Sequence, residues 1–123
     1  MNILIFEKGS STSITNCLST EGFQITSISS EDQIVPCLQQ NSLFEVLILS
    51  LNSSFKDGVA LLEDIRRINS SIPILVIATQ SDAKKVVEFL NKGADNFLSS
   101  PFDKKELIAR LKAMIRRNYF YTK

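Results

Sequence analysis

Histidine is absent from the 123 residues. With it go Ser-His hydrolysis, imidazole acid-base chemistry and histidine metal ligation. Cysteine is scarce, since Cys17 and Cys37 are the only two. Both lie in segments with helical periodicity and no secretory leader is recognisable, so free, buried thiols in a reducing cytoplasm are expected rather than a disulfide framework. Long apolar runs are missing too. No stretch approaches the ~18 residues that a membrane-crossing helix needs, and a soluble protein is expected. Nor is there an excess of one charge. Fourteen basic residues against 13 acidic ones leave a net charge of +1, which offers no electrostatic footprint for nucleic acid, a membrane surface or an acidic substrate.

What remains is ample material for one core, because 44% of the residues are hydrophobic and a chain of this length fits a single domain. Three runs are continuously apolar: Ile3 to Phe6, Val46 to Leu49 and Ile74 to Ile77. Runs this short without alternation suit strands covered on both faces of a parallel sheet. Between them the period becomes helical. Ile14, Cys17 and Leu18 form one set; Leu61, Leu62, Ile65 and Ile68 a second; Ala83, Val86, Val87 and Leu90 a third; Leu107, Leu111, Met114 and Ile115 a fourth. Each set is expected to be a buried stripe. Weaker strands are expected at Gly22 to Thr26 and Asn96 to Leu98, with a helix near Glu31 to Gln40 that Pro36 should kink or shorten. The pattern predicts an α/β fold of five (βα) repeats, a doubly wound five-stranded parallel sheet with right-handed crossovers.

In such sheets functional groups gather beyond the carboxyl ends of the strands. The residues to inspect are Glu7 and Lys8, Ser50, Ala78 and Thr79, and Ser99 and Ser100. In the stretch ILSLNSSFKDG, residues 48 to 58, an apolar run ends on Ser50, so the place built to present a chemical group offers a hydroxyl.

The segment GADNFLSSPFDKKELIARLKAMIRR, the spacing from Pro73 to Gly93 and the spacing from Ser50 to Asp57-Gly58 together resemble the receiver domains of bacterial two-component response regulators, of the OmpR/PhoB type. The resemblance covers nearly the whole chain and implies a CheY/flavodoxin-like arrangement, with a receiver-like domain over residues 1–118 and a tail or the start of a linker over 119–123. Family receivers carry an acidic pair, an acceptor aspartate, a hydroxyl and a lysine; here those positions hold Glu7 with Lys8, Ser50, Ala78 and Ser100. Only Glu7 keeps the expected chemistry.

Phosphoryl transfer needs a nucleophile, a metal ion and donors aimed at the developing charge. Lys8 brings a cation where the metal would sit, and two positive charges ~4 Å apart repel by several kcal/mol at intermediate dielectric. Ser50 cannot form an acyl phosphate, Ala78 has no hydroxyl, and Ser100 has no ammonium group. No Mg²⁺ binding, no other metal, no cofactor and no catalytic residue are therefore expected, and the chain is not expected to be an enzyme. Ser50 is expected to fill the pocket and hydrogen-bond locally, Lys8 to pair inward with Glu7 or to lie exposed, and Thr79 to be a solvated loop residue.

The resemblance further implies a switch aromatic at Phe97, which core packing alone would also explain. It implies a symmetric dimer through helix 4, strand 5 and helix 5, with Ala83, Leu90 and Ile108 as its apolar patch, enlarged by Val86. Asp95 would meet Lys112 of a second copy. Arg110 would face Asn96 where a carboxylate is usual, and Glu106 would face Val86 instead of a lysine. A solvated monomer surface is the alternative. The tail RRNYFYTK stands where a linker to a DNA-binding domain would begin, or extends the last helix; no direct nucleic-acid contact and no membrane partner are expected of this domain. The leading expectation is a cytoplasmic, phosphorylation-independent receiver that dimerises and regulates transcription through a domain outside this chain. The alternative is a sensor of a small anion or metabolite using Lys8, Ser50, Thr79, Ser99 and Ser100.

Overall fold

The three apolar runs lie in the three central strands of one sheet, where neither face meets water. The computed structural model describes residues 2–7, 13–40, 43–51, 58–79, 83–100 and 102–121, with the backbone only at residues 13, 79, 100 and 118–121. Its strands are β1 (Asn2–Glu7), β2 (Gln24–Ile28), β3 (Val46–Leu51), β4 (Ile74–Thr79) and β5 (Asn96–Ser100). They pair in parallel in the order β2-β1-β3-β4-β5. The helices are α1 (Ser13–Ser19), α2 (Ile34–Gln40), α3 (Gly58–Ile68), α4 (Ala83–Asn91) and α5 (Lys104–Tyr121). The predicted fold class is the one observed.

Strand alternation divides the core in two. Leu4, Phe6, Leu47, Leu49, Ile74 and Val76 pack with Ile34 and Leu38 of α2, Leu62 and Ile65 of α3 and Phe89 of α4. On the other face Ile3, Ile5, Val46, Ile48, Leu75 and Ile77 pack with Ile14 and Leu18 of α1 and with Leu107, Leu111, Met114 and Ile115 of α5. Each fully buried Leu, Ile or Phe contributes roughly 1.5–3 kcal/mol, so continuous apolar runs are what a doubly covered sheet requires.

Several elements differ from expectation. β2 starts at Gln24 rather than Gly22, because the chain first closes a turn after α1, with Glu21 N–H bonded to Leu18 O at 3.0 Å and Gly22 at φ +83°. β5 continues to Ser100. The helix expected from Glu31 opens as a 3₁₀ turn, Glu31–Gln33, before α2. Pro36 is the third residue of α2, in the first turn, where its missing N–H has no intrahelical acceptor to lose. It marks a short helix, not a kinked one. Cys17 and Cys37 are free but half-buried rather than buried.

The stripe expected to be buried on α4 faces outward. Ala83 is exposed, Val86 is half-buried, and Val87 and Leu90 are 54% and 41% exposed; only Phe89 is buried. Ile68 of α3 is likewise 40% exposed, and Leu62 and Ile65 carry that helix's core contacts. A stripe of period 3.6 marks an amphipathic face without saying which side of it meets the core. α5 runs unbroken past residue 118 to Tyr121, so the expected boundary at 118/119 does not coincide with a break in the helix.

Candidate functional site

β1 and β3 end side by side, with Glu7 in register with Ser50, and adjacent strands lie ~4.8 Å apart. Alternation sets both residues on the side of the sheet that carries Ile5 and Ile48. One step further along, Leu51 pairs with Ala78 and Ala78 with Ser99; Thr79 pairs with Ser100. The topology thus gathers Glu7, Ser50, Ala78, Ser99 and Ser100 along one edge. Lys8 lies outside the described residues, as does the stretch 52–57 that follows β3.

Glu7 is 7% exposed, and its buried Oε1 accepts no hydrogen bond among the described residues. Burial away from water disfavours the carboxylate and pushes its pKa above the ordinary value of 4.5. Ser50 beside it is half-buried and brings a neutral hydroxyl. Ala78 is fully buried and belongs to the opposite core layer, with Leu51, Phe89 and Phe97. Phe97 is half-buried, its ring centroid 5.8 Å from that of Phe89 at a 38° tilt. Among the described residues no three acidic or thiol groups gather to hold a metal ion.

The second candidate region is the face of α4, β5 and α5. Ala83, Val87 and Leu90, spaced i, i+4, i+7, present an exposed apolar stripe with Val86 half-buried on the same helix, while Ile108 of α5, also half-buried, packs against the other core layer. Asp95 and Lys112 are both exposed. Asp95 Oδ2 accepts from Arg66 Nη2 and from Ile74 N–H, both at 2.8 Å. Arg110 donates to Asn96 Oδ1 at 2.9 Å and to Glu106 Oε2 at 3.2 Å, while its Nε is buried without an acceptor. Arg110 and Glu106, the two groups that Asn96 and Val86 would leave without partners in a dimer, therefore pair with one another on α5.

Sequence reasoning missed two residues that organise this region, Arg66 and Phe89, and turned Val87 inward where it is 54% exposed. Arg66 carried no motif. Phe89 stands outside the periodic set of its helix, which was the signal available.

The response regulator receiver domain family model matches residues 7–112. The chain belongs to this family. The receiver is 32% identical over 81 residues to the transcriptional regulatory protein TctD of Salmonella typhimurium, a match covering 66% of this chain and 36% of that protein. It is 29% identical over 120 residues to the cell cycle transcriptional regulator CtrA of Caulobacter vibrioides, covering 96% of this chain and 52% of that one. This chain thus spans about half or less of the curated relatives it matches. Among solved structures it is similar to an atypical orphan response regulator protein, with a TM-score of 0.79 and 24% identity over 94% of this chain and 96% of that one. Among the described residues no helix is long and apolar enough to cross a membrane.

Proposed function

We propose that this receiver signals without aspartyl phosphorylation, as a cytoplasmic, non-enzymatic module that dimerises through α4, β5 and α5. In this reading it regulates transcription through a DNA-binding domain outside this chain. The observation that carries the reading is the pair at the ends of β1 and β3, a buried carboxyl group with an oxygen unpartnered among the described residues, beside the neutral Ser50. Mg²⁺ sites in phosphoryl transfer draw on carboxylates and substrate phosphates. The donor set among the described residues does not fit that ion: one carboxyl group, already biased toward its protonated form by burial, and a hydroxyl where a second carboxylate would help. Ala78, sealed in the apolar layer, supports the same reading, since it has no group to hold a phosphoryl oxygen. That relatives such as CtrA and TctD are transcriptional regulators supports the output, and one structural neighbour is described as having a phosphorylation-independent regulatory mechanism.

The dimer is supported by the outward apolar stripe of α4 and by the opposite charges of the exposed Asp95 and Lys112. Asp95 keeps Oδ1 without a bond among the described residues, and Lys112 likewise makes no ion pair there, so a twofold axis could bring each to the other. Apolar area would hold the dimer while the charges set its register.

The test is to incubate the protein with acetyl phosphate and Mg²⁺ and to weigh it intact. No mass gain of one phosphate is expected; a gain would overturn the reading. Sedimentation at rising concentration without phosphodonor should show a dimer. The anion-sensor alternative gains nothing from the open cavity of about 380 Å³ lined by Phe6, Ser29, Ser30, Glu31 and Asp32, because its acidic rim has the wrong sign.

A further inference from the structure

α4 has one buried side chain, Phe89, and that ring is wedged between elements from three parts of the chain. Its centroid lies 5.8 Å from that of Phe97 on β5. At the start of α3, Gly58 sits so close that a Cβ added there would come within 3.0 Å of Phe89 Cζ and 3.2 Å of Phe89 Cε1, and within 2.9 Å of Leu51 Cδ1. Ala78 belongs to the same layer. No other apolar side chain of α4 is buried: Ala83 and Val87 are exposed, Leu90 is 41% exposed and Val86 is half-buried.

A helix docked through one knob has little else to fix its rotation about its own axis. Packed interfaces have discrete arrangements rather than a continuum, because close-packed rings and chains either interdigitate or collide. Apolar area alone would favour rolling Val87 and Leu90 onto the sheet, since burial stabilises them. The ring of Phe89, filling the space that Gly58 leaves open, is what holds them out.

We propose that Phe89 is the positioning residue of the α4 surface, seated on Gly58 and Phe97, and that this seat keeps the apolar stripe turned outward in the absence of any ligand. Gly58 supplies the room because it has no side chain. The seat also ties the start of α3, which follows the stretch after Ser50, to the rotation of α4 without calling on a hydroxyl at residue 78. The consequence for dimerisation rests on the function proposed above; the consequence for α4 itself does not.

The experiment uses the full chain and four variants: Phe89→Ala, the milder Phe89→Leu, Gly58→Ala and, as a control on the exposed face, Val87→Asp. Hydrogen exchange of the α4 amides is read against those of α3 and α5 at a concentration where the protein is monomeric, and dimerisation is read by sedimentation. Phe89→Leu and Gly58→Ala are expected to lower protection in α4 by about tenfold, the equivalent of ~1.4 kcal/mol of local opening. Protection in β1, β3 and α5 should change far less. Both variants should also weaken the dimer by about tenfold. Val87→Asp should weaken the dimer and leave α4 exchange unchanged. Should Phe89→Ala fail to fold, the Leu and Gly58 variants carry the same reading. Exchange in α4 that stays constant, or rises only in step with α3 and α5, overturns the proposal. A wild-type protein that is monomeric at every concentration, with α4 exchange still selectively raised in the variants, leaves the seat standing and removes the dimer.

Discussion

The two ends of the sheet bury charge in opposite ways. At the amino ends of β4 and β5, Arg66 reaches in from α3 and gives Nε and Nη2 to Gly93 O at 2.9 and 2.7 Å, Nη1 to Ile72 O at 2.7 Å and to Asn69 O at 3.3 Å, and Nη2 to Asp95 Oδ2 at 2.8 Å. Its side chain is only 17% exposed, and its polar contacts are met. At the carboxyl ends of β1 and β3, Glu7 is buried more deeply and its Oε1 has no donor among the described residues. A buried charge that is fully bonded specifies a shape, whereas one left unbonded costs free energy. Architecture is finished at the first end. At the second, a buried carboxyl group stands beside the neutral hydroxyl of Ser50, and no described donor meets its Oε1.

The sharpest way to break this comparison is Arg66→Ala. Three backbone carbonyls and Asp95 Oδ2 would each lose a donor at once, Asp95 Oδ2 keeping only Ile74 N–H, and the turn joining α4 to β5 would come loose from α3. We expect a loss of roughly 3 kcal/mol in urea unfolding, on the scale of breaking a buried charged network. Arg66→Lys should recover less than half of it, because an ammonium group cannot fork to Gly93 O and Asp95 together. Unfolding midpoints within experimental error of wild type would show that the amino end is not held by this side chain.

Gly93→Ala attacks the same corner from the backbone. Gly93 has φ +129°, and an added Cβ would lie 2.7 Å from Arg66 Cγ. Both the strained conformation and the displaced guanidinium stem add to the cost, roughly 2 kcal/mol. Combining this change with Arg66→Ala should cost less than the sum of the two, because the collision disappears once the long side chain is gone.

Much of this end was hidden in the sequence for a physical reason. Arg66 is satisfied mainly by backbone carbonyls, and carbonyls are common to every residue, so no spacing of residue types announces the contact. The three central strands were legible because a sheet covered on both sides forces apolar runs. β2 was placed two residues early because its exposed pattern, with only Ile28 buried, carries little periodic signal. The carboxyl edge was legible as a list of positions, Glu7, Ser50 and Ala78, since a parallel sheet puts strand ends together. The depth of Glu7 was not, because burial depends on how the neighbouring elements close over it. On α4 the amphipathic set was found but its direction inverted, since one aromatic at 89 outweighs four smaller apolar side chains when only one side faces a layer with room for a ring.

Between the two ends lies the outward stripe of α4, and Val87→Asp tests whether that surface belongs to an interface. Val87 is half in solvent, so a carboxylate there should change the unfolding free energy by less than about 0.5 kcal/mol. In a dimer the same change buries two charges near a twofold axis, and the dissociation constant should rise tenfold or more, about 1.4 kcal/mol. Lys112→Glu, which sets like charges against Asp95 of the second copy, should weaken association less and in a salt-dependent way. Sedimentation in low and high salt separates these outcomes.

Glu7→Gln tests the carboxyl end and carries the smallest effect. Burial raises the Glu7 pKa in the folded protein above the ordinary 4.5 that the unfolded chain keeps. As pH climbs past 4.5 the unfolded chain gives up its proton while the folded protein still holds it. The folded state then binds more protons than the unfolded one, and the slope of unfolding free energy with pH is negative. Stability is therefore lost from pH 4.5 upward until the folded group ionises too, and above that point the deficit is constant. A neutral amide removes the slope. At pH 7 to 8 the variant should be the more stable protein by about 1 kcal/mol, the scale of a buried polar atom left unsatisfied, and near pH 4 the two should converge. If instead the variant is less stable than wild type across the range, the carboxylate of Glu7 is held by a bonded cation, and the contrast between the two ends of the sheet would disappear.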